Sequence, residues 1–447
     1  MEFEKRFYRH RGITIIQKRD PRVRPIRPGK VALVLAGGAI SGGAYKAGGL
    51  RALDEIFAHR RVPGAATMPY SLTDSDIFVG LSAGSVLASV LAAGIGPDEI
   101  LRITLGTSST YEEFTRAQFM ALNMWEGMAR IPRFLSREME LITNYLSGAT
   151  DPARVAPYTL GKTLRKMFEA VPMALPTGLF STHQLGDYLR RNMEKSNLPD
   201  DFVQLHERTG KSLYLTAVDI NHGDLLTFGH DEPYSGVPIS DAVRSSCALP
   251  GWYKPVRLVN PRRGEPGEPA FFDLADGGLM RTANVRIAVE KGAELVICYN
   301  PFVRINYDRM GRSLVDHGAY AMASQMFRIL LGARLDMAKE LLYRDESVDA
   351  DIVFIEPADD DYEFFRMNPL DHGTKDRAAQ HGYRSIRAAI QSNHERLAEV
   401  LDTHGIELHP PAPDREGLPG DNAWVAGDDM RESRGRVGRV KTPWDYA

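Results

Sequence analysis

The chain has 447 residues, of which 43% are apolar, 25% charged and 9% aromatic, and its formal net charge is -3. That length admits one large α/β domain with appendages, or two domains, with a sizeable core. The faintly acidic balance excludes a protein directed wholly at nucleic acid, and two cysteines, Cys247 and Cys298, exclude a disulfide scaffold.

In chain order, residues 1–30 carry ten Lys or Arg against three acids and read as a basic arm, suited to solvent or to an anionic membrane surface. The opening MEFEKRFYRHRG has no apolar run before a small-residue cleavage site, so a secretory leader is not expected. The expected setting is the cytoplasm, with peripheral contact at the inner face of a membrane as the extension of the arm's charge.

A β-branched, apolar run at 31–36 predicts a strand, and Ala47, Leu50, Leu53 and Phe57 predict one face of a helix. Between them lies Gly37-Gly38-Ala39-Ile40-Ser41-Gly42-Gly43. Successive glycines let backbone N–H groups converge at a helix N-terminus, and such a nest holds an anion. The loop lacks the G-x-G-x-x-G and Gly-Lys-Ser/Thr spacings of nucleotide sites, whereas an oxyanion needs only one or two such donors.

The next strand, 77–79, turns at Gly80 into a helix over about 83–93. Residues 77–96 are uncharged for twenty positions, long enough for a membrane span, yet four glycines, three serines and no cationic flanks favour a buried strand and helix. At their junction stands Gly80-Leu81-Ser82-Ala83-Gly84. A G-x-S-x-G at a strand-to-helix turn projects its hydroxyl, with glycines leaving room for neighbouring backbone. Alone, the pentapeptide also fits a tight turn with an N-capping serine.

Residues 98–195 read as mostly helical and rich in Met and Phe, as in FMALNMWEGMARIPRFLSREMELI. That composition suits a lid, a lipid-facing surface, or the core of a helical subdomain. Further strands are expected at 213–218, 225–228 (a hairpin across Asn221, His222 and Gly223), 271–275, 295–299 and 352–355. Strands alternating with helices predict an α/β fold with a mainly parallel sheet. Phe271-Phe272-Asp273-Leu274-Ala275-Asp276-Gly277-Gly278 places Asp276 at a strand end, expected at the carboxyl edge where the two glycine-rich loops open, with Asp273 as its rival. Long helical stretches follow over about 313–343 and 375–401, and 409–447 is Pro- and Gly-rich and expected to be disordered.

The glycine-rich loop, the G-x-S-x-G and the D-G-G, in that order, resemble the patatin-like phospholipases over roughly 31–300. The segments LTAVDINHGDLLTF at 215–228 and SSCALPGWYKPV at 245–256 are similar to further family blocks. The resemblance implies a patatin-like α/β fold, with the central sheet covered by helices on both faces and additional helical segments. It further implies a lipid acyl hydrolase that acts on a lipid ester through a Ser-Asp dyad. In that scheme Ser82 forms the acyl-enzyme, Asp276 is the base, and the amides of Gly37, Gly38, Ala39 and Gly42 form the oxyanion hole. Gly80, Gly84, Gly277 and Gly278 are the motif glycines. It divides the chain into a basic arm (1–30), a catalytic domain (31–300) with a lid-like insertion at 98–195, a helical extension with one strand (301–408) and a tail. The loop departs from the family at Ala39, where a third glycine is usual, and at Ser41, where a cation is usual, which would weaken contact with a lipid phosphate. After Gly278, Thr282-Ala283-Asn284 replaces Asn-x-Pro.

Three other readings stay open on sequence: an acyltransferase using the same dyad, a Ser-His-Asp hydrolase drawing on His317, His372 or His381, and a lipid-binding scaffold without catalysis. No cofactor or metal is expected, since His-x-x-x-His and Cys-x-x-Cys spacings are absent and Asp359, Asp360 and Asp361 read as a solvated turn. No nucleic-acid partner is expected, and the oligomeric state is left open.

Overall fold

The computed structural model describes residues 5–19, 29–61, 67–123, 176–304, 313–358, 361–365 and 372–409. In chain order the strands are β1 (Arg6–His10), β2 (Ile13–Gln17), β3 (Lys30–Leu35), β4 (Phe57–Arg60), β5 (Met68–Pro69), β6 (Ile77–Gly80), β7 (Ala121–Leu122), β8 (Gly178–Ser181), β9 (Ser212–Asp219), β10 (Asp224–Phe228), β11 (Gly251–Tyr253), β12 (Val256–Val259), β13 (Phe271–Asp276), β14 (Ala293–Tyr299), β15 (Asp351–Ile355) and β16 (Ile406–Leu408). The main sheet runs β1-β2-β15-β14-β3-β6-β9-β13-β12, with β10 paired to β9. Its middle strands, β15 through β9, are parallel. Both flanks are antiparallel: the β1–β2 hairpin lies against β15, and β13 and β12 lie beyond β9.

Strand periodicity explains the layers. Val31, Leu33 and Leu35 of β3 point into one apolar cluster, while Ala32 and Val34 point into a second on the opposite face. The same alternation recurs in β14, where Leu295, Ile297 and Tyr299 oppose Val296 and Cys298. A strand buried on both faces needs a continuous apolar run, and this is why β3, β6 and β14 were visible as such in the sequence. Helices α1 (Ala39–Ile56), α2 (Ala83–Ala92) and α3 (Pro97–Leu105) cover the first face, and helices Val285–Glu290 and Gly318–Arg344 cover the second.

The sheet draws on more of the chain than residues 31–300. The basic arm is in part structural: alternation in β1 is weak, but ITIIQ of β2 is wholly buried, so residues 6–17 become an edge hairpin. From the extension, β15 sits inside the sheet and β16 pairs with β4, two strands where one was expected. Helix Lys375–Ser392 crosses α1 at backbone contact: a Cβ at Gly48 would lie 1.8 Å from the Ala379 carbonyl oxygen, and one at Gly382 would lie 2.0 Å from that of Tyr45. Only glycine permits that approach. Of the Met-rich insertion, residues 97–123 and 176–195 contribute α3, a short helix Arg116–Phe119, β7, β8 and helix His183–Lys195. Its remainder, with most of the segment FMALNMWEGMARIPRFLSREMELI, and the tail 410–447 lie outside the described residues. Among the described residues no helix is long and apolar enough to cross a membrane.

Candidate active site

The G-x-S-x-G turn forms because β6 ends at Gly80 and α2 begins at Ala83, leaving Leu81 and Ser82 to reverse the chain. Ser82 adopts φ 51 and ψ −131, a backbone state that L-residues resist. Both glycines are required by crowding: a Cβ at Gly84 would lie 2.0 Å from the Leu35 carbonyl oxygen, and one at Gly80 would lie 2.6 Å from the Ser85 Cα. The bland reading of Ser82 as a helix cap fails, since its side chain makes no capping hydrogen bond. Its side chain instead faces the cavity that Asp276 also lines.

Asp276 reaches this position from an unexpected direction. The strand β13 runs against β9, so Asp276 comes to the edge where the two glycine-rich loops open from the direction opposite to β3 and β6. β9 outruns β6: Gly80 stands opposite Leu215, while β9 continues to Asp219. Pairing on that overhang sets Asp276 opposite Ala217, two residues past the level of Gly80, which is the level Ser82 occupies on the other side of β9. The carboxylate is buried, 4% exposed, and accepts the Gly278 N–H at 2.8 Å. Burial pushes it up to about 6, and the Gly278 N–H and the neighbouring Ser82 side chain oppose that shift without cancelling it. Asp273, the rival, is taken by Arg257 (2.8 Å to each carboxylate oxygen) and by Asn221, and these hold it below its ordinary value.

The glycine-rich loop closes the third side. Gly37, Gly38 and Ala39 line the same cavity as Ser82 and Asp276, and a Cβ at Gly37 would sit 3.4 Å from that of Ser82. Helix α1 starts at Ala39 rather than after Gly43, and Ala39 itself takes φ 53, a left-handed state at the position where the family pattern has glycine. One expected oxyanion donor is corrected: the Gly42 N–H is spent on the Gly38 carbonyl at 2.9 Å, as the first turn of α1 demands. Ser41 is 2% exposed and is absent from the described cavity walls, so a head-group contact at that position has no geometric basis. Gly277 packs against Leu81 and Thr216, where a Cβ would lie 2.9 Å and 2.8 Å from side-chain atoms.

Several residues here escaped the sequence reading. Ser246 accepts the Ser82 N–H through its hydroxyl at 2.9 Å, fixing the strained turn from the SSCALPGWYKPV segment. Lys46 is fully buried in α1 and donates its ammonium to the Ala36 carbonyl, directly before Gly37. Burial lowers it to about 7. Its signal was present: Lys46 is the only charge between Val31 and Leu50. Both cysteines are free and buried, and burial pushes the Cys247 thiol up to about 12. Thr282 and Asn284, which replace the usual loop residues, brace it through bonds to the Leu331 carbonyl and the Thr216 hydroxyl, each 2.8 Å.

The cavity in front of Ser82 measures about 140 Å³, and its walls are apolar: Leu249, Trp252, Leu279, Phe302, Phe327 and Leu331. Among the described residues no histidine lines it. His381 is engaged elsewhere, with Asp361 at 2.5 Å and Glu363 at 3.1 Å, while the side chains of His317 and His372 lie outside the described residues.

A serine on a strained strand-to-helix turn, sharing a cavity with a buried carboxyl and a glycine-rich loop at the sheet edge, defines an α/β protein with an elbow-type serine site. The Patatin family model, patatin-like phospholipase, matches residues 33–289, more than half of the chain. The chain belongs to the patatin-like phospholipase family, and that membership supports a lipid hydrolase. No curated protein matches the sequence. Solved structures it is similar to include VipD from Legionella pneumophila (16% identity, 87% of this chain and 70% of that one, TM-score 0.32). Human GIVD cytosolic phospholipase A2 matches at 10% identity over 84% of this chain and 60% of that one, with TM-score 0.39. The type III effector ExoU matches at 13% identity over 99% and 72%, with TM-score 0.25.

Proposed function

We propose that this protein is a serine lipid acyl hydrolase in which Ser82 and Asp276 act as a dyad. The single observation that carries the reading is that Ser82, on its strained turn, lines one cavity with the glycine-rich loop and with a buried carboxyl that burial pushes up to about 6. A base poised near the working pH is the condition for general-base catalysis. In the proposed cycle Ser82 Oγ attacks the ester carbonyl carbon as its proton passes to Asp276. The developing oxyanion is met by the amides of Gly37, Gly38 and Ala39. The leaving alcohol takes the proton back from Asp276, and water, deprotonated by the same carboxylate, releases the acyl group. With Gly278 already donating to it, the carboxylate is held in one orientation throughout.

The substrate side follows from the walls. An apolar cavity with one nucleophile takes an ester whose bulk is hydrocarbon. Helix Gly318–Arg344 turns Phe327 and Leu331 into the cavity while leaving Met326, Ile329 and Leu330 exposed beside them. This pattern supports peripheral docking on a lipid surface, with a cytoplasmic setting in keeping with two free cysteines. The test incubates the protein, Ser82→Ala and Asp276→Asn with a mixed lipid extract and compares products by mass spectrometry. Free fatty acid from the wild type alone supports hydrolysis; equal product from all three removes the dyad, and esters of an added alcohol in place of free acid assign a transferase.

A further inference from the structure

A second cavity, of about 100 Å³, adjoins the first on the far side of Ala39, Ala83 and Phe119, which wall both. Its floor is one face of α2, on which Ala83, Val86, Val90 and Ala93 recur at helical spacing. Ile100 and Ile103 of α3 oppose that face. From Ala83 to Ala93 the face extends about 15 Å along the helix.

Its serine, threonine, asparagine and lysine side chains are already engaged. The Ser89 hydroxyl donates to the Ser85 carbonyl and that of Thr104 to the Ile100 carbonyl, each at 2.8 Å. The Asn192 amide accepts the Glu112 N–H at 2.9 Å and donates to the Tyr188 carbonyl at 3.1 Å, and Lys375 pairs with Glu113 at 2.5 Å. A polar ligand entering here would leave its own groups unmatched, at the cost that buried polar groups carry. Hydrocarbon incurs no such cost, and Ala83, the residue next to Ser82, lines both cavities.

On the reading that Ser82 is an esterase nucleophile, we propose that the acyl chain of the substrate passes between Ala39 and Ala83, beside Phe119, and lies in this second cavity, so that Val90 and Ile103 set the chain length that is turned over. The alcohol portion then occupies the larger cavity under Trp252 and Phe302. Each methylene gained by the cavity is worth about fourfold in kcat/KM.

The experiment measures kcat/KM for p-nitrophenyl butyrate and laurate, which differ only in the acyl chain. The wild type is expected to favour laurate by at least about tenfold, from the methylene increment above. Val90→Phe, which fills the cavity about 10 Å along α2 from Ala83, is expected to lose that preference by lowering kcat/KM for laurate far more than for butyrate, whose chain is too short to reach it. Ile103→Ala, which enlarges the cavity from α3, is expected to raise the laurate-to-butyrate ratio and serves as an independent readout if Val90→Phe folds poorly. An unchanged ratio in a folded, butyrate-active Val90→Phe together with an unchanged ratio in Ile103→Ala overturns the proposal, as does a flat wild-type profile. Failure of the esterase reading looks different: Ser82→Ala would then hydrolyse butyrate as fast as the wild type.

Discussion

Asp276→Asn separates activity from stability in opposite directions. The native carboxyl is pushed up to about 6 against an ordinary 3.8. A carboxyl whose folded value is raised favours folding only while protonated, so its penalty is absent below about pH 4, grows through pH 4–6 and is complete above that. At 1.36 kcal/mol per pH interval, the ionised native state at pH 7 carries a penalty of about 3 kcal/mol. Asparagine has nearly the same shape, keeps an acceptor for the Gly278 N–H, and removes the buried charge. The variant is therefore expected to be inactive yet more stable than wild type at pH 8, by up to about 3 kcal/mol, with the advantage vanishing near pH 4. Urea denaturation of both proteins at a series of pH values reads this difference. A stability gap that stays constant from pH 4 to 8, or an asparagine variant less stable at pH 8, would refute the assignment of Asp276 as a desolvated carboxylate.

The same carboxyl predicts that kcat/KM on a soluble ester rises with pH through about 6 and levels off above, since the base must be ionised; a profile flat from pH 5 to 8 contradicts it. Gly84→Ala would drive a methyl into the Leu35 carbonyl, so a loss of about 1–3 kcal/mol in stability and a collapse of turnover are expected, measured by thermal unfolding and ester hydrolysis. Lys46→Met removes the donor that holds the Ala36 carbonyl and thereby orients the next amide, that of Gly37; turnover is expected to drop roughly tenfold with KM little changed, a split that an indirect folding defect would not produce.

Much of this site was legible in the sequence because its parts are local. The apolar run of β3 and the strand that precedes Ser82 each sit beside the glycines their turns need, and the crowding at Gly80 and Gly84 gives the physical reason for that spacing. What was hidden depended on pairing at a distance. The antiparallel approach of β13 follows from the length by which β9 outruns β6, and no periodicity within residues 271–276 encodes it. ITIIQ was a legible strand masked by the charge around it, since Arg and Lys on β1 and its neighbours dominate the count while β2 is buried. The cavity walls Phe327 and Leu331 lie on a helix some 250 residues after Ser82, and their role is set by where that helix crosses the sheet. Gly42 was misassigned because a glycine cluster does not reveal where the helix begins; once α1 starts at Ala39, its amide is committed.

The dyad is tested most directly by labelling the purified protein with a fluorophosphonate and locating the adduct by peptide mass spectrometry. One adduct per chain at Ser82, formed at a rate that falls at least about a hundredfold in Asp276→Asn, is the predicted result. Labelling at another residue, or labelling of Ser82 at an undiminished rate without the carboxylate, would contradict it.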